Sequence, residues 1–60
     1  MKLYQFYGTL KSTKKSEDLW VVAGNENQAL IKASGVADNV IVKSCQDLPD
    51  NHEAYHNFIR

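Results

Sequence analysis

Between positions 2 and 10 the chain reads Lys-Leu-Tyr-Gln-Phe-Tyr-Gly-Thr-Leu, a run of strand-forming residues in which neither alternate set is purely polar. Tyr4, Phe6, Gly8 and Leu10 fall on one side of an extended chain, and Leu3, Gln5, Tyr7 and Thr9 on the other. A strand with apolar groups on both faces belongs at the centre of its sheet, or beneath cover on both sides. Later segments must therefore supply two flanking strands and something to pack on each face.

Residues 11–18, Lys-Ser-Thr-Lys-Lys-Ser-Glu-Asp, are entirely polar and read as a connecting loop, long enough for a mobile tip. Residues 19–23, Leu-Trp-Val-Val-Ala, form a second strand that Gly24 and Asn25 stop. Asn25 is a favoured N-cap, with Gln28 three residues on to complete a box-like pair and Glu26 at the positive end of the helix dipole. A helix over residues 25–34 follows, with Ala29, Leu30 and Ala33 as its buried stripe and Ile31 beside it. Gly35 is placed to end this helix in the left-handed conformation. Residues 36–39 lead into a third strand over residues 40–45, and Asp47-Leu48-Pro49-Asp50 makes a turn. Asp50 or Asn51 then caps a short terminal helix that runs through Ile59 or Arg60.

The order is β-β-α-β-α, an α+β chain forming one small domain over residues 1–60. A right-handed crossover from the second strand to the third puts the first strand between them. The expectation is a three-stranded antiparallel sheet of order 2-1-3, with one helix packed on it and a short C-terminal helix.

Sixty residues lie near the lower limit for independent folding, and Cys45 is the only cysteine, so no disulfide assists. Homodimerisation is one remedy. A single thiol also fits a reducing compartment. Seven basic residues balance seven acidic ones, which argues against nucleic-acid binding by bulk charge. No stretch is long and apolar enough for a signal-peptide core or a membrane span, so the expected location is the cytoplasm.

One string names a chemistry. His52-Glu53-Ala54-Tyr55-His56 spells H-E-x-x-H, and on a helix two histidines four apart point at one metal while the glutamate acts as general base. None of Asn57, Phe58, Ile59 and Arg60 is a usual zinc ligand, and a third would have to come from an upstream carboxylate such as Asp47 or Asp50 folding back. On a helical wheel Ala54, Tyr55, Phe58 and Ile59 form one apolar arc, and both histidines fall on its rim. The string therefore reads as the margin of a docking helix. No cofactor and no metal are expected, and zinc at His52 and His56 is kept as an alternative. Cys45 reads as a small core hydrophobe rather than a nucleophile.

The helix covers one face of the sheet, and about half of Leu3, Tyr7, Trp20, Val22 and Ile41 must point away from it. The terminal helix or a second subunit would cover them. Tyr4, Tyr7 and Trp20, with Lys2, Lys11, Lys14 and Lys15, also suit stacking of unpaired bases. Against that stand the absence of an RNP-like motif, of Gly-x-x-Gly and of net positive charge.

Residues 18–33, Asp-Leu-Trp-Val-Val-Ala-Gly-Asn-Glu-Asn-Gln-Ala-Leu-Ile-Lys-Ala, run from a strand ending Val-Val-Ala through acidic and amide residues into an Ala-Leu-x-x-Ala helix. The pattern resembles that of small phage and mobile-element accessory proteins of the anti-CRISPR and host-takeover type. The resemblance implies β-β-α-β character and a role as inhibitor or modulator of a host protein; it contains no functional residues to carry over. Together these readings point to a non-enzymatic protein-binding module with a host protein as partner. Tyr7, Trp20, Lys11, Lys14 and Lys15 are its contact candidates. A single-stranded nucleic-acid-binding protein is the alternative.

Overall fold

The computed structural model describes residues 1–59. Strand β1 spans Lys2–Leu10, β2 Ser16–Ala23, helix α1 Glu26–Ser34, β3 Ala37–Asp47 and β4 Phe58–Ile59. They form a mixed four-stranded sheet of order β3-β1-β2-β4. The two-sided apolar strand is central as its pattern requires, antiparallel to both neighbours. The 2-1-3 order is thus contained in a larger sheet, and β4 is an addition, parallel to β2 on its outer side.

The first hairpin is tighter than its polar connection suggests. Leu10 and Lys15 close it through an N–H···O bond of 2.9 Å, Lys14 sits at φ 64° in the left-handed region, and β2 begins at Ser16. Ser16, Glu17 and Asp18 join the strand because β1 supplies their backbone partners, in register from Thr9↔Ser16 to Lys2↔Ala23. The Thr9 and Ser16 hydroxyls meet at 3.2 Å across the pair.

Helix α1 starts as its caps dictate. The Asn25 side chain accepts from the Gln28 backbone N–H at 2.9 Å, and the Gln28 side chain accepts from the Gly24 N–H at 3.2 Å. Asn25→Ala removes the first bond and is expected to cost about 1 kcal/mol. Urea unfolding followed by far-UV circular dichroism measures this as a lower midpoint with an unchanged slope. The helix ends without a left-handed residue. Gly35 is right-handed at φ −71°, and its N–H bonds to Lys32 O at 3.2 Å, so the chain turns straight into β3.

The core lies between α1 and the sheet. Tyr4, Phe6, Leu19, Val21 and Ala23 pack under Ala29 and Ala33, with Ala37 at the margin and Leu10, Val40 and Ile59 partly buried against them. The expected stripe is narrower than drawn: Leu30 is 42 % and Ile31 73 % exposed. Two alanines seat the helix close to the strands, which leaves bulkier flanking residues outside. Lys32 and Leu30 lie on opposite flanks of the Ala29–Ala33 line. Lys32 leans towards β2, where its Nζ donates to Val22 O at 2.8 Å. Since α1 runs back between the parallel strands β2 and β3, Leu30 flanks the β3 side.

Strand β3 bulges twice against β1, between the partners of Gln5 and Phe6 and between those of Tyr7 and Thr9. The second bulge places Asn39 at φ 55°. It presses on Gly8, where a Cβ atom would stand 2.8 Å from Val40 Cγ1 and 3.0 Å from Asp38 O. Cys45 is exposed on β3 and is not a core residue; among the described residues no further strand covers that edge.

The expected terminal helix does not form. Residues His52–Ala54 make one 3-10 turn, with Ala54 N–H bonded to Asn51 O at 2.9 Å, and Tyr55 is already extended at ψ 143°. Asn57, at φ 53°, turns the chain into β4. A helix this short is marginal in water. The free edge of β2 competes with it and wins: Trp20 N–H bonds to Asn57 O at 3.2 Å, and Trp20 and Val21 pair with Phe58 and Ile59. Ile59 thereby joins the core, a residue the helical wheel also marked as apolar. Arg60, the last residue of the expected helix, lies outside the described residues.

Candidate interaction surface

The chain must pass from β3 on one edge of the sheet to β4 on the other. Residues 48–57 make this passage across the face that α1 leaves free. Trp20 alternates with the core residue Val21 and so points to that face, where its ring centroid lies 4.7 Å from that of Tyr55. His52 and Phe58 make a second tilted ring pair, with centroids 5.5 Å apart. Leu3, on the same face, is completely buried. The expected cover therefore exists as an irregular strap, and it reaches only half of the face.

The other half is open. Tyr7 of β1 pairs with Ile41 of β3 on one side and Asp18 of β2 on the other. Tyr7 is 43 % and Ile41 64 % exposed. Lys43, two residues on from Ile41 and on the same face, reaches across β1 and sets its Nζ 5.8 Å from the Tyr7 ring centroid and 3.5 Å from Asp18 Oδ1. That carboxylate oxygen is enclosed and makes no hydrogen bond, so the ion pair is its compensation. The result is an apolar patch of Tyr7 and Ile41 with one fixed charge pair at its rim.

The five expected contact residues separate. Tyr7 stays on the open half, while Trp20 is drawn under Tyr55 and half-buried. Lys11, Lys14 and Lys15 are exposed in the hairpin loop beyond Thr9 and Ser16, and Lys11 N–H ties that loop to Val36 O at 2.9 Å. Ile41 and Lys43 complete the patch in their place. The run Val40-Ile41-Val42 was the available signal, since three apolar residues in an edge strand cannot all face inward.

The two histidines go to different places. His52 Nδ1 donates to Pro49 O at 2.9 Å, within the strap, and His56 Nε2 donates to Glu17 Oε1 of β2 at 3.3 Å. Ending the turn at Ala54 removes the shared helical face that H-E-x-x-H needs. Among the described residues no group of three or more His, Cys, Asp or Glu side chains is arranged to hold a metal. Beside the strap lies a shallow pocket of about 240 Å³ lined by Met1, Val22, Lys32, His52, Glu53 and Phe58. Its lysine amine is already engaged with Val22 O.

Two ionisable groups at the β1–β3 end are displaced from their usual ranges. A hydrogen bond of 3.4 Å from Lys2 to Asp47, then the charge of that carboxylate, raises the Lys2 amine. Burial, then the neighbouring Cys45 thiol, raises the Tyr4 phenol. Both shifts favour the states these groups already hold at neutral pH, so neither creates an acid or base that works there.

The chain matches no protein-family model, no curated protein and no solved structure. No helix among the described residues is long and apolar enough to cross a membrane.

Proposed function

We propose that the chain is a non-enzymatic protein-binding module whose contact surface is the open half of the sheet around Tyr7 and Ile41. The observation that carries this reading is their exposure on a face whose other half is packed by the strap. Aromatic and branched side chains on rigid strands make effective contact centres, because little side-chain entropy is lost on binding. The partner is a host protein, and the molecule is a phage- or mobile-element-encoded inhibitor; this part rests on the resemblance carried by residues 18–33. The nucleic-acid alternative loses support, since Tyr4 is in the core and Trp20 under Tyr55, leaving Tyr7 as the one exposed ring of the three.

Tyr7→Ala combined with Ile41→Ala tests the surface. Partners captured from host lysate by the wild-type chain are expected to be lost by the variant, with affinity down at least about 30-fold for a central contact worth about 2 kcal/mol. Circular dichroism should show the fold retained, since both side chains are exposed and lie outside the core under α1. Unchanged capture by the folded double variant would remove this surface from consideration.

A further inference from the structure

We infer that the partner of the Tyr7–Ile41 surface carries an acidic segment, and that Lys11, Lys14 and Lys15 receive it. This presupposes that the open half of the sheet is the docking face, and it adds the chemistry of the partner. The chain has no net charge, but its lysines are not equally engaged. Lys2 pairs with Asp47 at 3.4 Å, Lys43 pairs with Asp18 at 3.5 Å, and the Lys32 amine donates to Val22 O at 2.8 Å. The other three fall within residues 11–15 and are exposed. Among the described residues their side chains make no hydrogen bond or ion pair.

The loop that carries them is fixed along its backbone. Leu10 N–H bonds to Lys15 O at 2.9 Å, and Lys14 N–H to Leu10 O at 2.8 Å. Lys15 N–H bonds to the Thr13 hydroxyl at 3.3 Å, and Lys11 N–H to Val36 O at 2.9 Å. Three ammonium groups are thus presented from an ordered base, and binding an anion costs side-chain freedom alone. The loop continues β1 and β2 past Thr9 and Ser16, beyond the Tyr7 end of the sheet face. Tyr7 and Lys11 are separated by about 13 Å of strand. A partner seated on Tyr7 and Ile41 by an apolar side chain therefore meets the lysines with acids about four positions on if it is extended, or about nine if it is helical.

Charge complementarity and the surroundings of the loop favour an acidic protein segment over other polyanions. A single nucleic-acid strand stacks successive bases on several rings, and the open half of the face offers Tyr7 alone, with Asp18 beside it. An anionic bilayer holds a basic loop through apolar side chains inserted among the lysines, and residues 11–15 have none. Of the acids near the path, Glu17 is engaged with His56 and Asn57. Asp38, exposed and paired with Thr9, is the one that opposes an acidic partner. Exposed charges attract weakly and are screened by salt, so the lysines orient the partner while Tyr7 and Ile41 supply the contact.

Titration of the whole chain at low salt, followed by backbone amide chemical shifts, is the test. The probe is a synthetic peptide with one leucine and, about four residues on, a run of glutamates; its control has glutamines in their place. The glutamate peptide is expected to shift the signals of Tyr7, Ile41 and residues 11–15 together, and to bind at least about fivefold more tightly than the control. Lys11→Gln, Lys14→Gln and Lys15→Gln combined should abolish that difference, and so should about 1 M salt. Asp38→Asn is expected to enlarge it. Equal shifts at Tyr7 and Ile41 from both peptides would keep the docking face and overturn the acidic partner. Shifts confined to residues 11–15 would keep the lysine site and remove the docking face. No shift from the glutamate peptide at about 10 mM overturns the inference. Tighter binding of a single-stranded oligonucleotide of equal charge, or of phosphatidylserine vesicles, overturns it as well.

Discussion

Phe6→Ala is expected to leave the chain without a stable fold at room temperature. Phe6 is 1 % exposed at the middle of the central strand, paired with Leu19 and Val42 and packed beneath α1. Removing a buried phenylalanine ring costs about 3–5 kcal/mol. A core in a chain this small rarely supplies more than about 3–5 kcal/mol in total, and here no disulfide adds to it. The loss therefore equals the whole margin. Urea titration with far-UV circular dichroism should give a cooperative transition for the wild type and an unfolded baseline for the variant. A folded variant within about 1 kcal/mol of the wild type would contradict the central place of this side chain.

Tyr55→Ala with Phe58→Ala should release the strap while sparing the helix side of the core. Each ring is half-buried and in tilted contact with a partner, Tyr55 with Trp20 and Phe58 with His52, so each contributes about 1–2 kcal/mol. The pair share one segment and will not add strictly. The expected loss is about 2–3 kcal/mol, accompanied by a red shift of Trp20 emission as its ring is uncovered. This is the only tryptophan, so the fluorescence reports the strap directly. Loss of stability with unchanged emission would mean that the strap does not shield Trp20.

These two substitutions probe parts of the molecule that were not equally legible in the sequence. Phe6 stood out because both alternate sets of residues 2–10 are apolar, which forces that segment to the middle of a sheet. The helix start was equally plain. Asn25 and Gln28 satisfy backbone N–H groups within four residues, so their effect is decided locally. The strap could not be read in this way. Its apolar arc of Ala54, Tyr55, Phe58 and Ile59 suits a helix, and only the open edge of β2, more than thirty residues earlier, makes an extended path better.

The candidate surface shows the same division. Tyr7 was identifiable because it shares its strand face with Leu3 and Gln5 and so lies opposite the core set. Trp20 looked equivalent by alternation, and its side of the sheet was read correctly, but Tyr55 covers it from a distant part of the chain. Lys43 follows Ile41 by two residues and so shares its face, but its contacts with Tyr7 and Asp18 depend on how β3 and β2 sit on either side of β1. The H-E-x-x-H string failed for a related reason, because its chemistry depends on helical spacing and the chain ends its single turn at Ala54.

The sequence by itself determined the central strand, the capped helix and the antiparallel order about β1. Short-range hydrogen bonds and period-two alternation act within a few residues, and their consequences need no knowledge of the rest of the chain. Only the tertiary structure decided the fourth strand, the strap over half of the free face and the exposed edge of β3. Each follows from competition between segments far apart in sequence for the same backbone partners and the same apolar surface.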